Sequence, residues 1–175
     1  DLMKGSYLGP SFNKNEIENE LNSCKAKYHI LDGQNILEKV VSELEQEKIV
    51  GWMQGRMEFG PRALGARSII ADPRSTSMQK KLNLKIKFRE SFRPFAPSIL
   101  SSEVNNWFDF EKESPYMTFI ADVKKEKRRL MTDKEKNLFG IEKLNVPRSS
   151  VPAITHVDYS ARIQTVHEDT NPKYF

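Results

Sequence analysis

Three stretches of this sequence combine residue types suited to holding an anion. The stretch Gln54-Gly-Arg-Met-Glu-Phe-Gly-Pro-Arg-Ala-Leu-Gly-Ala-Arg-Ser68 sets Arg56, Arg62 and Arg67 among glycines, and four of the chain's eight glycines fall between Gly51 and Gly65. Glycine lets backbone amides approach a ligand closely, and a guanidinium is a planar fork that takes phosphate or carboxylate through paired hydrogen bonds. Neither a G-x-x-x-x-G-K-[ST] phosphate loop nor a dinucleotide fingerprint is present. On residue types alone two readings stay open: a Gly-rich connection with solvated arginines, or an anion clamp that includes Ser68.

The second stretch is Lys85-Ile-Lys-Phe-Arg-Glu-Ser-Phe-Arg-Pro-Phe-Ala-Pro97. Read as extended chain, it puts Lys87, Arg89 and Arg93 on one face and Ile86, Phe88 and Phe92 on the other, half cation and half core. An edge strand with a solvated basic face is the plainer alternative. In the third stretch, His156-Val-Asp-Tyr-Ser-Ala-Arg-Ile-Gln164, polar groups stand at every second position. On one strand, side chains two residues apart lie about 7 Å from each other, too far for a Ser–His–Asp relay. A row of donors facing a phosphate or ribose suits the spacing better. The run Lys124-Lys-Glu-Lys-Arg-Arg129 reads as a solvated loop, with nucleic-acid contact as the sharper option.

Positioning these groups requires a scaffold. Asn13 with Glu16 forms a helix-start signal, and Ile17 and Leu21 follow at helical spacing. After the Asp32-Gly33 turn, Ile36, Leu37, Val40, Val41 and Leu44 predict an amphipathic helix. Ile49–Met53 predicts a short buried strand, and Arg67–Ala71 another, ended by Asp72-Pro73. Ser75 is placed to cap a helix carrying Met78, Leu82 and Ile86. Strands are expected at Phe95–Leu100, Tyr116–Val123, Ala153–Val157 and Ala161–Val166, with a short helix from Ser101 to about Trp107-Phe108. Lys124–Asn145 reads as a charged excursion without sustained period, and Pro147 and Pro152 frame a loop. The fold class expected is α/β of the α+β type, a mixed twisted sheet with flanking helices.

The balance of the 175 residues narrows the function. The chain carries +4 overall, yet between Arg56 and Arg93 ten basic residues face three acidic ones, +7 within that segment alone. Such local basicity points to one anionic ligand site rather than a generally adhesive surface. The longest apolar run, Ile49–Met53, is far too short to cross a membrane. A lone Cys24 and three scattered histidines provide neither a disulfide framework nor zinc spacing. The opening residues lack the pattern of a secretory signal, so a cytoplasmic setting is expected. Asn171–Phe175 ends without a terminating signal, which reads as a cut chain.

The motifs Gly55–Arg74, Lys87–Pro97 and His156–Val166, taken in order, resemble the C-terminal domain of O-carbamoyltransferases of the NodU/CmcH family. The resemblance runs from about Tyr7 to the end. It implies a YrdC-like domain over residues 33–175, truncated at its C-terminus, with residues 1–32 as a lead-in from a missing N-terminal domain. In that family's pattern the C-terminal domain makes carbamoyl-adenylate from carbamoyl phosphate and ATP. An actin-like N-terminal domain, which holds iron or another metal, passes the carbamoyl group to a hydroxyl acceptor. The resemblance assigns Lys87 and Arg93 as catalytic residues and Arg62 as a further phosphate contact, with Arg67, Ser68, Arg89, Ser160 and Arg162 beside them. Magnesium comes with ATP, for which Asp72 and Asp158 are weak candidate ligands, and no metal site of the domain's own is expected. Tyr159 stands where the family pattern has glycine and would crowd the pocket. The expected partners are carbamoyl phosphate, ATP and, through the missing domain, a hydroxyl-bearing acceptor, without membrane or nucleic acid. The alternative function is an RNA-binding module of YrdC-like fold.

Overall fold

The computed structural model describes residues 2–175, which form two compact units, one up to Ile70 and one over Ala71–Phe175. Residue 32, the expected end of the lead-in, lies within the first unit.

In the first unit, α1 (Lys14–Ser23) starts at the expected capping box: the Glu16 amide donates to Asn13 Oδ1 (3.0 Å) and the Asn13 amide to Glu16 Oε2 (2.7 Å). Helix α2 (Gly33–Glu45) starts where the Asn35 amide donates to Asp32 Oδ1 at 2.9 Å. Its apolar stripe does not make it a core helix, since no residue of α2 is buried and Ile36, Leu37 and Val41 are exposed. Local bonds support it instead: Lys39 pairs with Glu43 at 2.8 Å, and Gln34 donates to Glu38 at 3.1 Å. Strands β1 (Val50–Met53) and β2 (Arg67–Ile70) pair antiparallel with Trp52 opposite Ser68. The strand expected to be buried alternates between half-buried and exposed, and Met53 lies open.

The second unit begins with α3 (Met78–Lys85), whose N-cap is Ser77 rather than Ser75, without a side-chain cap bond. Met78 and Leu82 are buried as expected, but Ile86 lies past the helix and is exposed. Next come β3 (Ser98–Leu100), α4 (Val104–Trp107), β4 (Phe108–Asp109) and β5 (Ile120–Val123). Helices α5 (Asp133–Lys136) and α6 (Gly140–Leu144) occupy the charged excursion, α5 fixed by a capping box between Thr132 and Glu135. Strands β6 (Ser160–Arg162) and β7 (Gln164–Val166) follow.

Strand β5 is central in an antiparallel sheet ordered β4-β5-β6, while β7 runs parallel to β3 in a separate pair. The expected strand Ala161–Val166 is therefore two strands serving two sheets, and Ile163, 0% exposed, sits at the crossing between them. The strand expected from Tyr116 begins only at Ile120, because Met117 takes a positive φ of 53° and breaks the extended run. Phe95–Pro97 and Ala153–Val157 are likewise not strands. Val104, Phe108, Ala121, Val123, Val151, Ile154, Ala161 and Ile163 form the core. The mixed α/β class holds, with its strands divided among three small sheets. Among the described residues, no helix is long and apolar enough to cross a membrane.

Candidate functional site

The basic stretch after α3 is a folded-back loop, not an amphipathic strand. The Ile86 and Lys87 amides both donate to the Leu82 carbonyl (3.1 and 2.9 Å), and the Arg89 amide donates to the Asn83 carbonyl (3.0 Å). Asn83, fully buried at 0% exposure, holds the returning chain: its Nδ2 donates to the carbonyls of Ser91 (3.1 Å) and Arg93 (2.7 Å). Its Oδ1 accepts from Arg89 Nε at 2.6 Å, and the Arg89 guanidinium lies over the Phe95 ring at 5.0 Å. Arg89 is thus committed to the loop's own architecture. Arg93 pairs with Glu90 at 2.8 Å on the surface. Lys87 is exposed, and its side chain makes no hydrogen bond or ion pair among the described residues. The apolar face assigned to Ile86, Phe88 and Phe92 does not exist; all three are exposed.

This loop leads into Pro94, Phe95 and Ala96, which form one wall of a cavity of about 290 Å³; His156, Asp158, Ser160 and Arg162 line another part. The second and third motifs therefore meet. His156 to Tyr159 is a tight turn closed by the Tyr159 amide on the His156 carbonyl (3.0 Å) and the His156 amide on the Ser160 carbonyl (2.8 Å). The turn gathers the side chains that a strand would have kept apart. Ser160 Oγ donates to Asp158 Oδ1 at 2.6 Å, and the same oxygen lies 3.3 Å from His156 Nδ1. The carboxylate is in the middle, whereas a hydrolytic relay needs the imidazole there. The triad is excluded by this order, not by distance. The Ser160 hydroxyl and amide hold Asp158 below the usual carboxylate range, with His156 adding to the effect. Tyr159, standing where glycine was expected, has a left-handed φ of 68°, a conformation that glycine adopts readily. Its ring lies over the Arg128 guanidinium at 5.1 Å and is not among the groups lining the cavity. Arg162 is exposed and its side chain is unpaired among the described residues.

The Gly-rich stretch in the first unit is also built around one buried polar group. Glu58 is 6% exposed, and its Oε1 accepts from the amides of Leu64 (2.6 Å), Ala66 (2.8 Å) and Arg67 (3.2 Å). Burial pushes this carboxyl up, but the amides outweigh it and hold it below the usual value. Arg67 spends its guanidinium on the carbonyls of Gln54, Ala66 and Gly55, and Ser68 Oγ accepts from the Gly65 amide. Arg56 donates to the carbonyls of Gly9 and Leu8. Arg62 has no such partner among the described residues. Of the expected cations, the Arg62, Lys87 and Arg162 side chains have no partner among the described residues, while Arg67 binds backbone carbonyls and Arg89 the Asn83 side chain.

Asp72 is tied to Arg74 at 2.6 Å, and Asp158 to Ser160, so each carboxylate already has a partner. Among the described residues no three His, Cys, Asp or Glu side chains group as a metal site. The basic run after β5 is less solvated than expected: Lys127 lies over the Trp107 ring at 4.6 Å, and Arg129 pairs with Glu135 at 2.7 Å.

Residues 41–175 match the family model described as carbamoyltransferase C-terminus. The chain belongs to this carbamoyltransferase C-terminal family. It is 57% identical over 177 residues to an uncharacterized protein of Synechocystis sp., covering 100% of this chain and 29% of that protein. It is 38% identical to the nodulation protein NolO of Bradyrhizobium diazoefficiens, covering 97% of this chain and 28% of that protein. It is 36% identical to the 3'-hydroxymethylcephem-O-carbamoyltransferase of Streptomyces clavuligerus, covering 75% of this chain and 21% of that enzyme. The carbamoyltransferase domain described here thus spans less than a third of the length of these curated relatives. Sequence reasoning missed Glu58 and Asn83 as organisers of the domain's two basic loops. The available signals were slight: one acid inside a Gly- and Arg-rich stretch, and one asparagine between Leu82 and Leu84.

Proposed function

We propose that this domain binds carbamoyl phosphate and MgATP and forms carbamoyl-adenylate, and that the longer protein passes the carbamoyl group to a hydroxyl acceptor. The observation that carries this reading is the meeting of the Pro94–Ala96 and His156–Arg162 segments around one cavity of about 290 Å³. That is near the small end of ligand pockets and suits a small anion. Family membership supports carbamoyl as the group transferred. Carbamoyl phosphate with water yields carbamate and phosphate; a carbamate oxygen then attacks the α-phosphorus of ATP, and pyrophosphate leaves. Such steps need positioning and charge neutralisation more than a covalent nucleophile. In the second unit Lys87, Arg93 and Arg162 would supply the positive charge and Ser160 a hydroxyl, with Arg89 anchored on Asn83 as framework. Magnesium arrives with the triphosphate. Any resident metal and the acceptor's binding site belong, on this reading, to the part of the relatives outside this chain. A cytoplasmic setting fits both substrates.

The test is carbamoyl-phosphate-dependent exchange of labelled pyrophosphate into ATP by this chain, with titration calorimetry on Lys87→Ala and Arg93→Ala. A phosphate contact from a charged donor is worth roughly 1.5–3 kcal/mol, so each variant should bind about 10- to 150-fold more weakly. Neither should melt early, because Lys87 is unpaired and the Arg93–Glu90 pair is exposed. Undiminished binding in both variants refutes the assignment. Acceptor carbamoylation by this chain alone contradicts the proposed division of labour.

A further inference from the structure

Helix α3 ends at Lys85, and the next eight residues are pinned on both sides of Phe88. The Lys87 amide is held by the Leu82 carbonyl, the Arg89 amide and guanidinium by Asn83, and the Phe92 carbonyl by Gln79 Nε2 at 2.8 Å. What this bonding leaves outside is the Phe88 side chain. It is 84% exposed, on a backbone with φ of 48°, a conformation that aromatic residues rarely adopt. Burial does not explain the ring, and the chain around it is not loose.

The surroundings describe what would cover it. From Lys80 to Arg93 six basic residues face one acid, Glu90. A second copy of the loop would bring the same charge and be repelled. A ligand for this place needs negative charge and a flat π face together, which is the chemistry of a nucleotide. Aromatic side chains take bases on their faces with little regard to base identity, while neighbouring cations take the phosphates. The cavity whose wall begins at Pro94, where this loop ends, is of a size for carbamoyl phosphate and would leave a nucleobase outside it, in need of a surface partner.

We propose that Phe88 is the stacking platform for the base of the bound nucleotide, with Lys87 beside it serving the phosphates. This inference rests on the nucleotide reading above and adds the residue that distinguishes a nucleotide from a bare polyphosphate.

The experiment compares ATP with inorganic tripolyphosphate by calorimetry on the full chain, as wild type, Phe88→Ala and Phe88→Trp. Loss of base stacking should weaken ATP about 10- to 100-fold in Phe88→Ala and leave tripolyphosphate unchanged, with Phe88→Trp restoring ATP affinity. A thermal melt checks that the alanine variant is folded. Equal ATP affinity in wild type and Phe88→Ala overturns the stacking role while leaving the nucleotide reading intact. Wild type that binds neither ATP nor tripolyphosphate overturns both. A parallel loss of ATP and tripolyphosphate in Phe88→Ala shows that the ring shapes the loop instead. Tight binding of an oligoribonucleotide with a steep salt dependence, and none of ATP, would assign the ring to RNA.

Discussion

The two basic loops solve one problem with opposite chemistry. Each must hold irregular backbone that carries arginines, and each does so around a single buried polar side chain. In Gly55–Arg67 the organiser is a charge: Glu58 draws three amides onto one carboxylate oxygen. In Ile86–Arg93 it is a neutral amide: Asn83 donates twice and accepts once. The first arrangement is stronger per bond and sensitive to protons; the second is weaker and indifferent to pH. The loops also differ in how they reach positive φ. Gly55 takes 56° as glycine readily does, whereas Phe88 takes 48° with a full side chain. A residue retained in that conformation without packing is better explained by a ligand than by the fold.

Removing the charge should have the largest effect. Glu58→Ala leaves three amides without their acceptor, two of them on buried residues, and should cost about 3 kcal/mol or more in a denaturant titration. The pH dependence has a definite sign. A carboxyl held below its usual value of 4.5 in the folded chain stabilises it above that value. That contribution is lost as the pH falls from there through the lower, folded value. Wild type should therefore lose stability between pH 5 and the acid range more steeply than Glu58→Gln, whose organiser cannot be protonated, in paired melts about one pH unit apart. Parallel pH profiles would mean that the two loops are not held differently.

The second loop should yield less to the loss of its organiser. Asn83→Ala removes two donors and one acceptor from a site at 0% exposure, an expected cost of about 2 kcal/mol, with no dependence on acid. Arg89 loses its anchor as well, so ligand affinity should fall even at temperatures where the chain is fully folded. Stability lost without affinity would place the ligand away from this loop.

Much of the scaffold was legible because it is written in local signals. Asn13 and Glu16 specify a capping box by residue type and spacing, and β1 and β2 fall within the two short runs read as strands, though their pairing was not legible. The motifs that carry family membership are contiguous and hence visible. What misled was even spacing. Lys87, Arg89 and Arg93 alternate with Phe88 and Phe92 as a strand would, but the segment is set by Asn83, whose partners are backbone carbonyls eight and ten residues ahead. Backbone groups leave no mark on the sequence. The same holds for Glu58, which reaches amides six to nine residues away. His156–Ser160 likewise reads as alternation, yet Asp158 accepting from the Ser160 amide and the positive φ of Tyr159 turn it into a closed loop. Helix α2 shows the converse: its periodicity predicted the helix, yet none of its stripe is buried, since a stripe states what a helix can cover, not what covers it.

The smallest expected effect is also the cleanest exchange between the loops. A Cβ built on Gly55 meets nothing within 4 Å, so Gly55→Ala isolates the conformational cost of a side chain at positive φ, about 1 kcal/mol. Phe88→Gly is the reverse move: it relieves a similar cost and gives up little packing, since the ring is 84% exposed. Against that relief stands the extra freedom that glycine has in the unfolded chain, roughly 0.5–1 kcal/mol. Phe88→Gly should therefore lie between neutral and about 0.5 kcal/mol stabilising, and Gly55→Ala, with both contributions reversed, between neutral and about 0.5 kcal/mol destabilising. Denaturant melts of both variants resolve the sign. If Phe88→Gly instead destabilises by more than about 1 kcal/mol, the ring is packed in solution and its position is part of the fold. If it is neutral or better while ATP affinity collapses, the domain keeps Phe88 for its ligand at no benefit to its own stability.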